Sequence, residues 1–156
     1  MKAEHILFAT LGLALAAGAC ALVPAWHTDR HTDKLWLHRC NSVEKYAEMH
    51  PRYPNVEVDV VYRPDGYFDV THDTTTTFGL PLDSLLAQNL MGGGKFWLDI
   101  KNLTPQNQTA ILSEVDSLCD DYHLTPDRLI LESPAWQLLA PFTRQGYYTS
   151  CYVPYD

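Results

Sequence analysis

From residue 35 onward, short apolar or β-branched runs alternate with segments of helical periodicity, and this alternation constrains the fold more than any other feature of the chain. Leu35-Trp36-Leu37 is a short apolar run that ends at His38. A helix is expected over 42–49, with Asn41 as its cap and Glu44 three residues on as the capping-box partner. Residues 56–62 (Val-Glu-Val-Asp-Val-Val-Tyr) alternate as a strand does. Pro64-Asp65-Gly66 has the chemistry of a tight turn, and residues 67–71 return as a strand that ends at His72-Asp73. A helix over 81–90 is stopped by Gly92-Gly93-Gly94, and residues 96–100 form the next strand. Thr104 as N-cap and Pro105 at the first helical position open a helix whose Ile111, Val115, Leu118 and Tyr122 recur at helical spacing. Residues 129–131 are a strand, Ser133-Pro134 opens a further helix that Gly146 ends, and residues 147–153 form a last strand.

Strands that alternate with helices predict a parallel sheet with the helices packed outside it. The expected fold class is therefore α/β, as a (β/α)8 TIM-type barrel. A complete barrel of this kind needs about 250 residues. The chain has 156 residues, so it is expected to supply about the first five strands as part of a longer protein. An open doubly wound sheet is the alternative that this length permits by itself.

The first 23 residues stand apart. Lys2 precedes an apolar run from Ile6 to Val23 that has no polar stripe, with Ala-Gly-Ala-Cys at 17–20. A signal or anchor segment over 1–23, a polar linker over 24–34 and a domain over 35–156 follow from this pattern. Three readings of the leader stay open: a lipoprotein whose first residue is lipidated Cys20, cleavage after Ala19, and an uncleaved anchor that associates with a membrane. All three place the chain outside the cytoplasm, as a periplasmic, outer-membrane, cell-surface or secreted protein. Cys40, Cys119 and Cys151 match no zinc spacing and specify no disulfide. The formal net charge of -8 opposes binding to a nucleic acid, while a small anion remains compatible if a cation inverts the field of an acidic pocket.

Ionisable residues gather at strand ends. His38 follows the first strand, and Glu57 and Asp59 share one face of the second. His72 follows the hairpin, while Asp99 and Lys101 share a face with Trp97 on the next strand. In a parallel barrel the C-terminal strand ends assemble the active site. Carboxylates within strands are costly to bury unless paired or bound to a metal. Taken singly, each residue also has a structural explanation: a solvated strand face for Glu57 and Asp59, an ion pair for Asp99 and Lys101, a hydrogen-bonded histidine for His38, a turn for His72-Asp73. Glu132 either precedes a helix N-terminus, where negative charge is favourable, or reaches the site. Trp36, Trp97, Trp136 and the tyrosines near the end are expected in the core rather than on a substrate platform.

His38-Arg39, Glu57-Val58-Asp59-Val60, Pro64-Asp65-Gly66, Val70-Thr71-His72-Asp73 and Leu98-Asp99-Ile100-Lys101 follow one another in an order and spacing that resemble the glycerophosphodiester phosphodiesterase superfamily. The resemblance covers about residues 35 to 101. Cys40 stands where members carry glycine, and Asp99 where the common form has glutamate. His38-x-x-Asn41 and Asp99-x-Lys101 resemble the sphingomyelinase D and menorin-like branches. The resemblance implies a metal-dependent phosphodiester hydrolase acting on a glycerophosphodiester or a phospholipid headgroup. Glu57, Asp59 and Asp99 would bind one divalent cation, Mg2+ or Ca2+. His38 and His72 would act as general base and acid, and the nucleophile would be water or a hydroxyl of the substrate itself. Arg39, Asn41, Lys101 and, less directly, Glu132 would contact the substrate. The rival readings are a metal- or ligand-binding barrel without turnover and a structural surface lipoprotein.

Overall fold

Val56, Val58 and Val60 are fully buried on one face of a strand, and Glu57 and Asp59 point from the other. That division of faces organises the whole domain. The computed structural model describes residues 34–89 and 93–152, all within the unit Thr32–Asp156. The leader over 1–23, Cys20, the linker up to residue 33, the helix end at Leu90 and the chain from Val153 lie outside the described residues.

The strands are β1 (Trp36–Leu37), β2 (Asn55–Tyr62), β3 (Phe68–Val70), β4 (Phe96–Ile100), β5 (Leu129–Glu132) and β6 (Tyr148–Ser150). The helices are α1 (Val43–Met49), α2 (Asp83–Leu86), α3 (Gln108–Asp121) and α4 (Ala140–Arg144). One sheet holds all six strands in the order β1-β2-β4-β5-β6, every neighbouring pair parallel, with β3 antiparallel to the end of β2. The order advances in one direction and never reverses. A doubly wound sheet reverses at its switch point, so this topology is that of part of a (β/α)8 barrel.

Strand register carries the core. Val56, Phe96 and Leu129 stand side by side, as do Val58, Leu98 and Leu131. All six are buried together with Ile111, Val115 and Leu118 of α3, Phe142 of α4 and Tyr46 of α1. Each of these large side chains contributes about 2 kcal/mol by leaving water. β2 and β4 meet closely at their N-terminal ends. A Cβ on Gly94 would stand 2.2 Å from the Pro54 carbonyl oxygen, so only glycine fits there.

Several helix boundaries differ from the sequence-based expectation. Ser42, not Asn41, caps α1; its Oγ accepts the Lys45 N–H at 3.1 Å. Asn41 is unavailable because its carboxamide is bonded to Asp59, and with Ser42 as cap Glu44 falls one position short of the capping box. α3 begins at Gln108 rather than at Thr104-Pro105. Thr104 N–H donates to Asn107 Oδ1 at 2.8 Å, and Asn107 Nδ2 donates to the Asn102 carbonyl at 2.9 Å, which folds 104–107 into a turn. The helix expected over 81–90 is α2 extended by a 3-10 turn over Ala87–Asn89. The segment after Ser133-Pro134 starts as a 3-10 turn, Trp136–Leu139, before α4, and Gly146 (φ +96) ends it. β6 is three residues long instead of seven. Among the described residues no helix is long and apolar enough to cross a membrane.

Candidate active site

The register that builds the core on one face builds a row of acids on the other. Asp59, Asp99 and Glu132 are paired neighbours across β2, β4 and β5, in the middle of β2 and near the C-terminal ends of β4 and β5. Glu57 lies two residues earlier on the same face, in register with Trp97. All four carboxylates are buried, at 7% exposure or less. One oxygen each from Glu57, Asp59 and Asp99 can be chosen so that all lie within 4.8 Å of one another.

Asp59 is the best-held member. Lys101 Nζ lies 2.7 Å from its Oδ1, Asn41 Nδ2 donates to its Oδ2 at 2.7 Å, and its own N–H donates to Asn41 Oδ1 at 3.0 Å. Burial pushes the Asp59 carboxyl up, but the hydrogen bonds from Lys101 and Asn41 outweigh it and hold the group below its usual value. Lys101 also hydrogen-bonds Asp99 Oδ2. Asp99 is nevertheless raised, because burial outweighs that bond, and its Oδ1 is buried without a hydrogen-bond partner. Glu57 is raised by burial too, although the Arg39 N–H donates to its Oε2. Arg39 takes a left-handed backbone (φ 52) to present that N–H, a conformation that costs about 1 kcal/mol in a residue with a Cβ.

Burial and the neighbouring Asp99 raise Glu132 as well. The Trp97 indole N–H lies near enough to lower it but does not close a sound hydrogen bond. Glu132 lies beside Asp99 on the same face of the sheet and lines the same cavity. Lys101 is held above its ordinary value, since the two aspartates outweigh the desolvation that would lower it.

The histidines are less buried. His38 Nε2 stands 3.5 Å from Glu57 Oε2, with its side chain 75% exposed. His72 is exposed on the loop after β3 and makes no hydrogen bond to the carboxylates among the described residues. It lies close enough to both that positive charge on its ring would favour the ionised form of Asp59 and Asp99. Arg39 Nε is 3.8 Å from Asp59 Oδ2.

Beside the acids lies a cavity of about 320 Å³, lined in part by Trp36, Trp97 and Tyr152 as well as Glu132. This corrects the expectation that the tryptophans are core. Trp36 and Trp97 are half-buried on the concave face and pack edge to face, with ring centroids 5.8 Å apart, while Trp136 and Tyr152 are exposed. Tyr152, one of the tyrosines expected in the core, is exposed after β6 and places its hydroxyl 3.3 Å from Lys101 Nζ.

These donors fit a hard cation. They are all oxygen, three are anionic, and one buried oxygen of Asp99 has no other partner. Against the three carboxylates of Glu57, Asp59 and Asp99 the site holds the Lys101 ammonium and, at 3.8 Å from Asp59, the Arg39 guanidinium, which leaves net negative charge for a cation to offset.

No protein-family model matches the chain, and no curated protein matches it by sequence. Solved structures do match its fold. A crystal structure from Silicibacter pomeroyi, designated a glycerophosphoryl diester phosphodiesterase, superposes with a TM-score of 0.61 over 74% of this chain and 63% of the other, at 19% identity. A glycerophosphodiester phosphodiesterase from Parabacteroides distasonis superposes with a TM-score of 0.60 over 71% of this chain and 57% of the other, at 15% identity. The fold is thus that of the glycerophosphodiester phosphodiesterase barrels. The chain spans about three fifths of the length of the structures it matches.

Proposed function

We propose that the chain carries the active site of an exported phosphodiesterase that uses one divalent cation, Mg2+ or Ca2+, and acts on a glycerophosphodiester or a phospholipid headgroup. The observation that carries this reading is the buried cluster of Glu57, Asp59 and Asp99 on one face of β2 and β4, with Asp99 Oδ1 left without a hydrogen-bond partner. The fold of the two matching structures supports it.

Glu57, Asp59 and Asp99 would hold the cation, which supplies positive charge to a phosphate oxygen when bound. Lys101 and Arg39 stand at Asp59 and add positive charge on the protein side. His38, exposed beside Glu57, takes the proton of the attacking hydroxyl. His72 returns a proton to the departing alkoxide. The bond from phosphorus to the leaving oxygen breaks as the bond to the attacking oxygen forms. With water as nucleophile the products are an alcohol and a phosphomonoester; with a substrate hydroxyl they are an alcohol and a cyclic diester. Asn41 fixes Asp59 through two hydrogen bonds.

A barrel that binds its ligand without turnover is the second reading. It is favoured by the exposure of His72 and by its lack of a hydrogen bond to the acids. Calorimetric titration of Mg2+ and Ca2+ into the chain, beside a Glu57→Ala, Asp59→Ala variant, tests the cation site. Hydrolysis of a chromogenic phosphodiester separates the two readings. Binding that the variant loses, together with cation-dependent turnover, supports the enzyme. Binding without turnover supports the ligand-binding barrel, and a folded chain without cation binding sinks the first reading.

A further inference from the structure

We propose that a cleft between α4 and β6 binds a neutral sugar ring, stacked on Trp136 and hydrogen-bonded by Gln137, Thr149 and Ser150. The cleft has a volume of about 280 Å³ and shares no lining residue with the cavity beside the acids. Its walls come from the 3-10 turn after β5, from α4 and from the end of β6. Thr149 is in register with the core residue Leu131, so it faces the helix layer and away from the carboxylates.

Hydrogen-bonding capacity selects the ligand. Thr143 Oγ1 donates to the Leu139 carbonyl at 3.3 Å, which uses its one proton. In the 3.0 Å contact between the two threonine hydroxyls, Thr149 is therefore the donor, and its oxygen is left only to accept. Gln137 and Ser150 make no side-chain hydrogen bond to any described residue, so they offer donors as well as acceptors. A hydroxyl, which both donates and accepts, satisfies this set. A carboxylate or phosphate only accepts: it would face the lone pairs of Thr149, and no Lys, Arg or His lines the cleft to match its charge. A cation finds no Asp or Glu there. A wholly apolar ligand would cover Gln137 and Ser150 without giving them partners.

The remaining wall fits the same ligand. Trp136 is 57% exposed, an indole that the fold leaves open. A flat apolar ring of this kind matches the C–H face of a pyranose, whose rim carries the hydroxyls. The volume lies at the low end for small-molecule sites, which suits one ring rather than a chain of them. Sugar binding there needs neither a cation nor the acid cluster.

Saturation-transfer NMR of the whole chain, in chelator and at constant ionic strength, tests this with the methyl glycosides of glucose, galactose and mannose and with methyl glucuronide as the anionic counterpart. At least one neutral glycoside is expected to saturate and to bind about tenfold more tightly than the glucuronide. Trp136→Ala should lower that affinity about tenfold, and Thr149→Val should lower it less. Trp36→Ala, in the cavity beside the acids, should leave it unchanged. Circular dichroism checks that each variant folds, and Gln137→Ala, at an exposed position, serves if Trp136→Ala does not. No saturation of the folded parent by any of the three glycosides, equal binding of neutral and anionic rings, or parental affinity in Trp136→Ala overturns the site. Binding lost in Trp36→Ala but kept in Trp136→Ala puts the sugar beside the acids and overturns it as well.

Discussion

Asn41 grips Asp59 with both ends of its carboxamide: Nδ2 donates to Asp59 Oδ2 at 2.7 Å, and Oδ1 accepts the Asp59 N–H at 3.0 Å. The pair ties the loop after β1 to the middle of β2 and fixes the carboxylate that Lys101 also holds. Asn41→Ala removes both bonds and leaves a buried carboxylate and a buried N–H short of a partner. The expected cost is about 2 kcal/mol of stability, read as a lower urea midpoint with an unchanged slope. Mg2+ affinity should fall as well, because a looser Asp59 is a poorer ligand. A variant with parental midpoint and affinity would remove Asn41 from the site.

The acids make opposite contributions to the pH dependence of stability. Glu57, Asp99 and Glu132 are raised by burial, so each binds its proton more tightly in the folded chain. Their contribution is present below the ordinary carboxylate value and fades as pH rises through their folded values. Asp59 and Asp69 are lowered despite burial, by hydrogen bonds from Lys101 and Asn41 and from Thr77 and Arg63 respectively. Their contribution is present above the ordinary value and is lost as pH falls through their lowered ones. The metal-free chain should therefore melt at a higher temperature near about pH 5 than near about pH 7.5, and Mg2+ should close that gap by neutralising the cluster. Circular-dichroism melts with chelator and with Mg2+ make the comparison; a flat profile without metal would contradict the raised carboxyls.

Arg63 secures the loop that carries His72. Its Nη2 and Nε donate to Asp69 Oδ2 at 2.8 and 3.2 Å, and the guanidinium also donates to the carbonyls of Thr74 and Thr76. Asp69 is fully buried, and its other oxygen accepts the Leu80 N–H at 3.2 Å. The ion pair closes the threonine-rich loop at both ends. Arg63→Met leaves Asp69 buried and unpaired, at a cost of about 3 kcal/mol. Amide exchange over 74–80 should speed up more than exchange in α3. Arg63→Lys, which keeps the charge but not the fork, is expected to fall between the two.

The parts of this fold that were legible beforehand are those set by side-chain period. The β2 alternation of valine with acid places Glu57 and Asp59 opposite the core, and the Ile111, Val115, Leu118 spacing shows which face of α3 is buried. Helix starts were less legible, since Asn41 and Thr104 are good caps by type but their partners, Asp59 and Asn107, are chosen by tertiary structure. Glu132 could not be placed until register set it beside Asp99. Trp36 and Trp97 are expected in the core because an indole is apolar; strand period alone sets Trp97 on the face of Asp99, and register adds that Trp36 packs against it there. Gly94 looked like a plain helix stop, yet its neighbour is the Pro54 carbonyl. Gly94→Ala should cost about 2 kcal/mol through that clash, measured as a lower urea midpoint.

Under the proposed function, Lys101 acts on cation binding and on turnover in opposite senses. Its ammonium lies between Asp59 and Asp99, so it competes for the oxygens that a cation needs. Lys101→Met removes the competitor and makes the cluster more negative. Coulomb attraction at protein-surface screening then predicts Mg2+ binding about tenfold tighter. Turnover should move the other way. The same ammonium is the buried positive charge closest to the cluster, and a phosphate there would lose it in the transition state, which predicts a fall of about a hundredfold. Calorimetry and a phosphodiester assay on one preparation read both effects. Tighter cation binding with weaker turnover assigns Lys101 to the substrate phosphate; weaker cation binding would show instead that Lys101 holds the aspartates in place for the ion.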